Sequence, residues 1–190
     1  MKAIMLSMQP QWVAKILNGE KTIEIRKRFP INYVGWVYVY CTKKGETIWG
    51  KGTTFTEQVG EQYITGINYD MLNGKVVARF WCDKITKIKY GRWVGQDTFN
   101  YYGYHNEWKD LVDKSMMTQM ELYNYGSKLL AISITRLDIF DKPKELVEFH
   151  TAYKYATLEA IKDYERETGD TTSYRVAKPP QSWQWIEVEE

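Results

Sequence analysis

The sequence predicts an α+β or mainly β fold with a partly closed barrel. Three observations indicate this class: runs rich in Val, Ile, Tyr and Trp outnumber helical repeats, the helical repeats are short, and strands do not alternate regularly with helices. The chain has 190 residues, of which 44% are hydrophobic and 26% are charged. This composition excludes a disordered chain and predicts a single folded domain over residues 1–190.

The helices are predicted from turn and capping residues. Pro10 suits the first turn of a short helix that ends at Gly19. Thr118 and Glu121 have the spacing of a capping box, which opens a second short helix. A third helical repeat covers residues 157–166. The helices therefore begin and end near Pro10 and Gly19, Thr118 and Gly126, and Thr157 and Arg166.

The strands are predicted from alternation and from β-branched and aromatic residues. They cover residues 2–8, 22–26, 34–42, 75–89 (one long strand or a hairpin pair), 129–140 and 183–188. Asp141 and Pro143 are expected to end the strand over residues 129–140. Residues 43–73 contain many Gly, Thr and polar residues, so we predict a loop or an irregular hairpin there.

The charge is uneven along the chain. Residues 1–44 carry 8 Lys and Arg against 2 Glu, whereas residues 141–190 carry 7 Lys and Arg against 11 Asp and Glu. The basic N-terminal third indicates an anionic partner, of which nucleic acid is the commonest. Alternatively, these charges are dispersed over several faces or pair with the acidic C-terminal region.

Several classes of site have no support in the sequence. Neither a dinucleotide-binding G-x-G-x-x-G nor a P-loop motif is present. Cys41, Cys82, His105 and His150 are too few for a disulfide framework or a zinc cluster, so we expect no metal and no cofactor. The cysteines are predicted to be reduced and packed in or beside strands, and the histidines to lie at the surface or in loops. Without an apolar run of membrane-spanning length, we expect a cytoplasmic protein with no membrane partner.

One short segment concentrates polar chemistry. Gly19, Lys21, Thr22, Glu24 and Arg26 fall within one turn and one strand. Alternate residues of a strand share a face, so the last three lie together while two isoleucines face the other way. An ion pair between Glu24 and Arg26 would direct the guanidinium towards a carbonyl, a phosphate or a base edge. The competing interpretation is an ordinary solvated strand face.

This segment resembles the ASCH domain of the PUA-like superfamily, whose signature G-x-K-x-x-E-x-R lies at a helix-to-strand junction. Gly19, Lys21, Glu24 and Arg26 occupy its four places. Further blocks resemble a branch common in bacteriophages and prophages: EIRKRFP, VYVYCTK, NGKVV, FWCD, DKPKEL and PPQSW. The last block is expected to lead the final strand into the barrel. Alternatively, if that strand runs beside the signature strand, Gln181 and Ser182 would line the cleft.

The resemblance implies a small mixed β-barrel with flanking short helices and inserted loops. It is weakest over residues 44–72, 90–117 and 150–177, which we interpret as insertions. The superfamily is associated with RNA and modified nucleobases. We therefore expect a module that binds RNA, other single-stranded nucleic acid or a modified nucleoside at a basic cleft, with a host protein as a further possible partner.

The expected ligand-binding residues are Lys21, Thr22, Glu24, Arg26, Lys27, Arg28 and Trp93. An exposed ring beside a basic cleft suits base stacking, and Trp12, Tyr33 and Trp36 are further candidates. Trp93 is preferred because Arg92 and two glycines flank it.

The alternative function is hydrolysis of an acylated cytidine. Some ASCH-fold proteins hydrolyse 4-acetylcytidine with a lysine, a threonine nucleophile three residues later and a downstream glutamate. Lys21 matches the lysine, but Glu24 stands at the threonine position, where attack by a carboxylate would produce a mixed anhydride. Glu121 lies slightly later than the downstream glutamate. If the protein is an enzyme, Lys21 and Glu24 are the expected proton-transfer pair.

Overall fold

The computed structural model describes residues 1–59, 62–89, 105–126 and 128–189. The helices of this part of the chain are α1 (Pro10–Leu17), α2 (His105–Ser115), α3 (Gln119–Tyr125) and α4 (Leu158–Thr168), with a short 3₁₀ turn at Leu146–Glu148. Its strands are β1 (Lys2–Met8), β2 (Ile23–Arg26), β3 (Gly35–Cys41), β4 (Trp49–Val59), β5 (Gln62–Met71), β6 (Val76–Cys82), β7 (Ile85–Lys89), β8 (Lys128–Ser133), β9 (Arg136–Lys144), β10 (His150–Thr151) and β11 (Trp183–Glu187).

The mixed α+β class is confirmed. The described strands pair as sheets of six, three and two strands, and closure into a barrel stays a prediction. The chain divides into two compact units. The first comprises Met1–Ala14, Val37–Arg79 and Asp138–Glu190, and the second comprises Lys15–Trp36 and Phe80–Leu137. The single domain over residues 1–190 also stays a prediction.

The first unit is built on the six-stranded sheet, in the order β10-β11-β1-β3-β6-β9. β1 pairs in parallel with β3 and antiparallel with β11. The Ser7 amide donates to the Ser182 carbonyl at 3.0 Å, and the Ser7 hydroxyl donates to the Pro180 carbonyl at 2.7 Å. The segment before β11 therefore attaches that strand to β1. Since β11 pairs with β1 and β10, the condition under which Gln181 would line a cleft beside β2 is not met.

A buried network in the first unit corrects one expectation. His150 is only 6% exposed rather than a surface residue, and its Nε2 lies 3.1 Å from Glu165 Oε1. Arg175 donates to both oxygens of the same carboxylate at 2.9 and 2.8 Å. Burial favours the neutral acid, but these hydrogen bonds prevail and lower the pKa of Glu165. The histidine therefore has a structural partner.

Both cysteines are buried in strands, as predicted. Cys41 ends β3 and Cys82 ends β6, and neither forms a disulfide. Burial raises the pKa of the Cys41 thiol to about 12 and that of Cys82 to about 11. Both are therefore protonated at neutral pH, which is incompatible with a nucleophilic thiolate.

Two predicted strands are each replaced by a pair of strands in different sheets. Residues 75–89 form β6 in the six-stranded sheet and β7 in the three-stranded sheet, so they are neither one strand nor a hairpin. Residues 129–140 likewise contribute to β8 and β9. The expectation that Asp141 and Pro143 end the strand is wrong, since β9 continues through both. β9 is an edge strand, the position in a sheet at which proline is tolerated.

The segment over residues 43–73 was predicted to be a loop or an irregular hairpin, and it forms a two-stranded hairpin. β4 and β5 pair antiparallel, and their register shifts between Lys51 and Thr54. The Asn73 side chain accepts from the Ile48 amide at 2.9 Å and donates to the Glu46 carbonyl at 3.0 Å. These bonds hold the base of the hairpin.

The second unit contains the three-stranded sheet β2-β8-β7, which packs on α2 and α3. Its core is formed by buried aliphatic side chains with partly buried neighbours: Ile25, Leu111, Leu122, Leu129 and Ala131, with Ile23 and Ile88 against them. The two isoleucines of β2 face the core, as their alternation predicts. α2 was not predicted. The α3 capping box is confirmed, since the Thr118 hydroxyl accepts from the Glu121 amide and Glu121 accepts from the Thr118 amide.

We expect Thr118→Ala to lower the free energy of unfolding by about 1 kcal/mol, because it removes the hydroxyl that accepts from the Glu121 amide. Thr118→Ser retains a hydroxyl and should stay close to the wild type. Urea unfolding followed by circular dichroism measures both variants. Equal losses for alanine and serine would show that this cap does not stabilise the protein.

Candidate functional site

The junction between α1 and β2 positions the first signature residues. Gly19 has a φ of +74°, a left-handed conformation that glycine adopts without strain. Its amide donates to the Ile16 carbonyl at 2.9 Å, and the amides of Glu20 and Lys21 donate to the Lys15 carbonyl at 2.9 and 3.0 Å. These bonds end α1 and bring Lys21 to the start of β2.

Lys21, one of the expected ligand-binding residues, is buried. It is 1% exposed, and its Nζ donates to the Ser115 carbonyl at 2.6 Å and lies 3.3 Å from Glu24 Oε2. Burial lowers the pKa of Lys21, and the Glu24 carboxylate opposes that shift. The ammonium is thus surrounded by protein groups and does not present itself to a ligand.

The predicted ion pair between Glu24 and Arg26 is confirmed. Glu24 Oε1 lies 2.8 Å from Arg26 Nε, and the two side chains are 9% and 11% exposed. Glu24 therefore lies between two cations, with one carboxylate oxygen near Lys21 and the other near Arg26. The resulting Lys21–Glu24–Arg26 relay connects the start of β2 to its end and restrains the guanidinium.

The same segment caps the C-terminus of α2. The Thr22 amide donates to the Lys114 carbonyl at 2.9 Å, next to the bond from Lys21 to the Ser115 carbonyl. The last carbonyls of a helix lack partners within the helix and carry partial negative charge, which a lysine ammonium stabilises. Met116 follows with a φ of +56°, so the chain turns sharply at this point. The first half of the signature thus fastens a helix to a strand.

The other predicted residues of the segment are exposed. Thr22 lies at the surface before β2, and Lys27 and Arg28 lie at the surface beyond its end. Lys27 Nζ lies 4.9 Å from the centre of the Tyr125 ring. Buried and exposed cations therefore lie at opposite ends of β2. Arg26, whose side chain is 11% exposed, belongs to the relay and lies next to the exposed cations in sequence.

The strand register brings two further lysines to this end of the sheet. Leu130 of β8 pairs with Arg26 on one side and with Lys87 of β7 on the other, so these three residues share a face. Lys128, two residues before Leu130, lies on that face as well. Both lysines are exposed. The set Arg26, Lys27, Arg28, Lys87 and Lys128 is called the basic end below.

Sequence reasoning missed Lys87 and Lys128. Each lies in an alternating run that predicts a strand, but alternation does not specify which strand lies alongside or in what register. Because β8 pairs antiparallel with both β2 and β7, the start of β8 lies beside the ends of β2 and β7. No local motif could have indicated this.

The candidate stacking rings have different outcomes. Trp93 lies outside the described residues, so its role stays a prediction. Trp36 is buried, with its ring 5.3 Å from that of Trp81 and 5.0 Å from the Arg136 guanidinium carbon, so it belongs to the interior. Trp12 is partly buried.

The burial of Lys21 and Glu24 argues against the hydrolase alternative. A proton-transfer pair has to come within hydrogen-bond reach of the reacting group. The side chains of Lys21 and Glu24 are 1% and 9% exposed and already contact each other. In this arrangement they stabilise the interior, and no substrate atom has access to the Lys21 ammonium.

No cluster of three or more His, Cys, Asp or Glu side chains in the described part of the chain could hold a metal ion. No helix within it is long and apolar enough to cross a membrane.

Comparison with known proteins shows the fold. Neither a protein-family model nor a curated protein matches the sequence. The structure is similar to that of ASCH from Zymomonas mobilis, with a TM-score of 0.52 and 14% identity over 97% of this chain and 87% of that chain. Two single-substitution mutants of that protein give TM-scores of 0.53 and 0.52, with 14% and 12% identity, over 98% and 97% of this chain and 91% and 88% of theirs. The chain therefore has the fold of an ASCH protein.

We expect Lys21→Met to lower the free energy of unfolding by about 3 kcal/mol. Breaking a buried ion pair costs about 3–5 kcal/mol, and the lower end applies because Arg26 still faces Glu24. Urea unfolding measures the change. Lys114→Met is the control, because the contact of Lys114 with Asp110 is exposed and is worth less than about 0.5 kcal/mol. Equal losses for the two variants would contradict the structural role of Lys21.

The stability of the wild type relative to Lys21→Met should rise with pH in the alkaline range. The pKa of Lys21 in the folded protein is below its ordinary value of 10.5, so the folded protein releases this proton first. Between those two pKa values the unfolded chain holds more protons, and stability then increases with pH. Urea unfolding of both proteins from about pH 7 to about pH 11 measures the difference. A difference that stays constant would show that burial does not lower this pKa.

Proposed function

We propose that this protein binds RNA through the basic end of the β2-β8-β7 sheet. The observation that carries the proposal is the convergence of Lys27, Arg28, Lys87 and Lys128 beside Arg26, at one end of three neighbouring strands. Within the described residues, none of these four exposed side chains makes an ion pair. Exposed cations grouped in this way attract a phosphate backbone.

The distribution of acidic groups supports an anionic ligand. Glu24 is buried behind Arg26 and is neutralised by two cations. Asp83 lies at the opposite end of β7, where its carboxylate accepts a hydrogen bond from the Ser133 hydroxyl. Among the described residues, no carboxylate pairs with the exposed cations of the basic end. The basic end therefore keeps its positive potential.

Arg26 has a distinct role in the proposal. Its Nε lies 2.8 Å from Glu24 Oε1, and this ion pair restrains the guanidinium beside the exposed cations of the basic end. An arginine held in this way loses less conformational entropy on binding than a free one. Lys21 acts behind it, as part of the support and not as a ligand contact.

Narrower expectations are part of the proposal. The ASCH-like fold supports the closed barrel of the PUA-like superfamily, and the sequence blocks quoted above support the phage branch. A modified nucleoside as ligand, stacking by Trp93, a cytoplasmic location and a host protein partner stay predictions. We give hydrolysis second place because its two expected catalytic groups are buried.

Arg28→Ala and Lys87→Ala should each weaken RNA binding several-fold. Each should also reduce the slope of log affinity against log salt by about 0.7, because one phosphate contact to a single strand is lost. Both residues are exposed, so the melting temperature should stay unchanged. The measurement is fluorescence anisotropy with a labelled single-stranded RNA of about 12 nucleotides, between about 50 and 200 mM salt.

Lys142→Ala is the matched control, because it removes an exposed lysine of β9 and the same unit of charge. It should leave the affinity and the salt slope close to those of the wild type. The proposal fails if the wild type does not bind RNA at low salt, or if all three variants behave alike. Arg26→Ala is a poorer test, since it also removes one of the two cations that face the buried Glu24.

A further inference from the structure

The base of the β4-β5 hairpin presents an unusual set of side chains on one face. Trp49 pairs with Met71, and Lys51 pairs with Tyr69. Residues directly opposite in an antiparallel pair share a face, and residues two apart along a strand do so as well. These four side chains therefore lie together on one side of the hairpin, and we call them the aromatic platform.

The aromatic platform is open to solvent. Trp49 is 60% exposed, Tyr69 is 61% exposed and Met71 is 47% exposed. Neither ring makes a ring contact within the described residues. On the other face of the hairpin, Leu72 is 5% exposed and lies so close to Gly50 that a Cβ atom there would be 2.8 Å from Leu72 Cδ2. Burial on that side leaves the aromatic platform as the outer face.

We infer that the aromatic platform stacks the bases of a single-stranded nucleic acid, an inference that rests on the proposed function and adds a second contact to it. Exposed aromatic rings on a sheet surface bind two or three unpaired bases in this way. Trp49 and Tyr69 are diagonal neighbours, about 7–8 Å apart across the two strands. Since neither ring contacts another ring within the described residues, each has a face on which a base can stack.

The charge on this face favours nucleic acid over protein. Lys51 is exposed on the platform and makes no ion pair within the described residues. Lysine is depleted in the cores of protein interfaces, whereas its ammonium suits a phosphate beside a stacked base. Among the paired residues 49–51 and 69–71, Asp70 is the acidic one, and its pairing with Gly50 places it on the opposite face. In an extended single strand, the bases can stack on the two rings while a phosphate between them contacts the Lys51 ammonium.

The test compares single-stranded RNA of about 12 nucleotides with a blunt RNA duplex of the same length, by fluorescence anisotropy. Trp49→Ala and Tyr69→Ala should each weaken single-strand binding about 5- to 20-fold, since each removes one stacked base. They should leave duplex binding and the salt slope unchanged. Trp49→Phe keeps a ring and should retain most of the affinity, whereas Lys51→Ala should lower the salt slope by about 0.7.

Tyr155→Ala is the matched control, because Tyr155 belongs to the same unit and is 87% exposed. It should bind both RNAs like the wild type. Unchanged melting temperatures are expected for Trp49→Ala and Tyr69→Ala, and the two variants test the platform independently.

Four results would overturn the inference. The first is a single-strand affinity that Trp49→Ala and Tyr69→Ala leave unchanged, while Arg28→Ala and Lys87→Ala weaken it. In that case the proposed function stands, and the inference about the aromatic platform is wrong. The second is equal weakening of duplex binding. The third is a wild-type dimer, seen by size-exclusion chromatography, that Trp49→Ala dissociates, which would make this face a protein interface. Absence of any RNA binding by the wild type would overturn the proposed function together with this inference.

Discussion

The ammonium group of Lys21 is almost inaccessible to water. Polar groups of the second unit therefore take the place of the water molecules that would otherwise hydrate it. Burying an ion costs several kcal/mol unless its partners are well placed. The two partners come from different elements, since Glu24 belongs to β2 and the Ser115 carbonyl ends α2. The charge is therefore satisfied only when the strand and the helix are both seated. The Thr22 amide adds a second bond at the same helix end.

This constraint gives the signature two separate tasks. Gly19 and Lys21 end one helix and hold the end of another, whereas Arg26 lies at the end of β2, next to the exposed Lys27 and Arg28. Glu24 joins the two parts because each of its oxygens faces a different cation. A residue can therefore be essential to a signature without contacting the ligand. In the proposed binding mode, Lys21 contributes only through the position that it gives to neighbouring side chains.

The two proposals assign different physics to different surfaces. At the basic end, exposed lysines and arginines provide long-range attraction that depends on salt. At the aromatic platform, Trp49 and Tyr69 provide short-range stacking that depends little on salt. Proteins that bind single strands without strong sequence preference combine both effects. Each surface lies within one compact unit, so each proposal can be tested by itself.

The sequence by itself determined the features that depend on neighbours along the chain. Gly19 ends a helix, Thr118 and Glu121 cap one, and alternation in β2 separates its isoleucines from its ion pair. Only the tertiary structure decided that residues 75–89 and 129–140 divide between two sheets, and that Lys87 and Lys128 join Arg26. It also decided that Lys21 is buried. The physical reason is that capping and alternation act over a few residues, whereas burial, strand register and the partners of a charge are set by segments far apart in the chain.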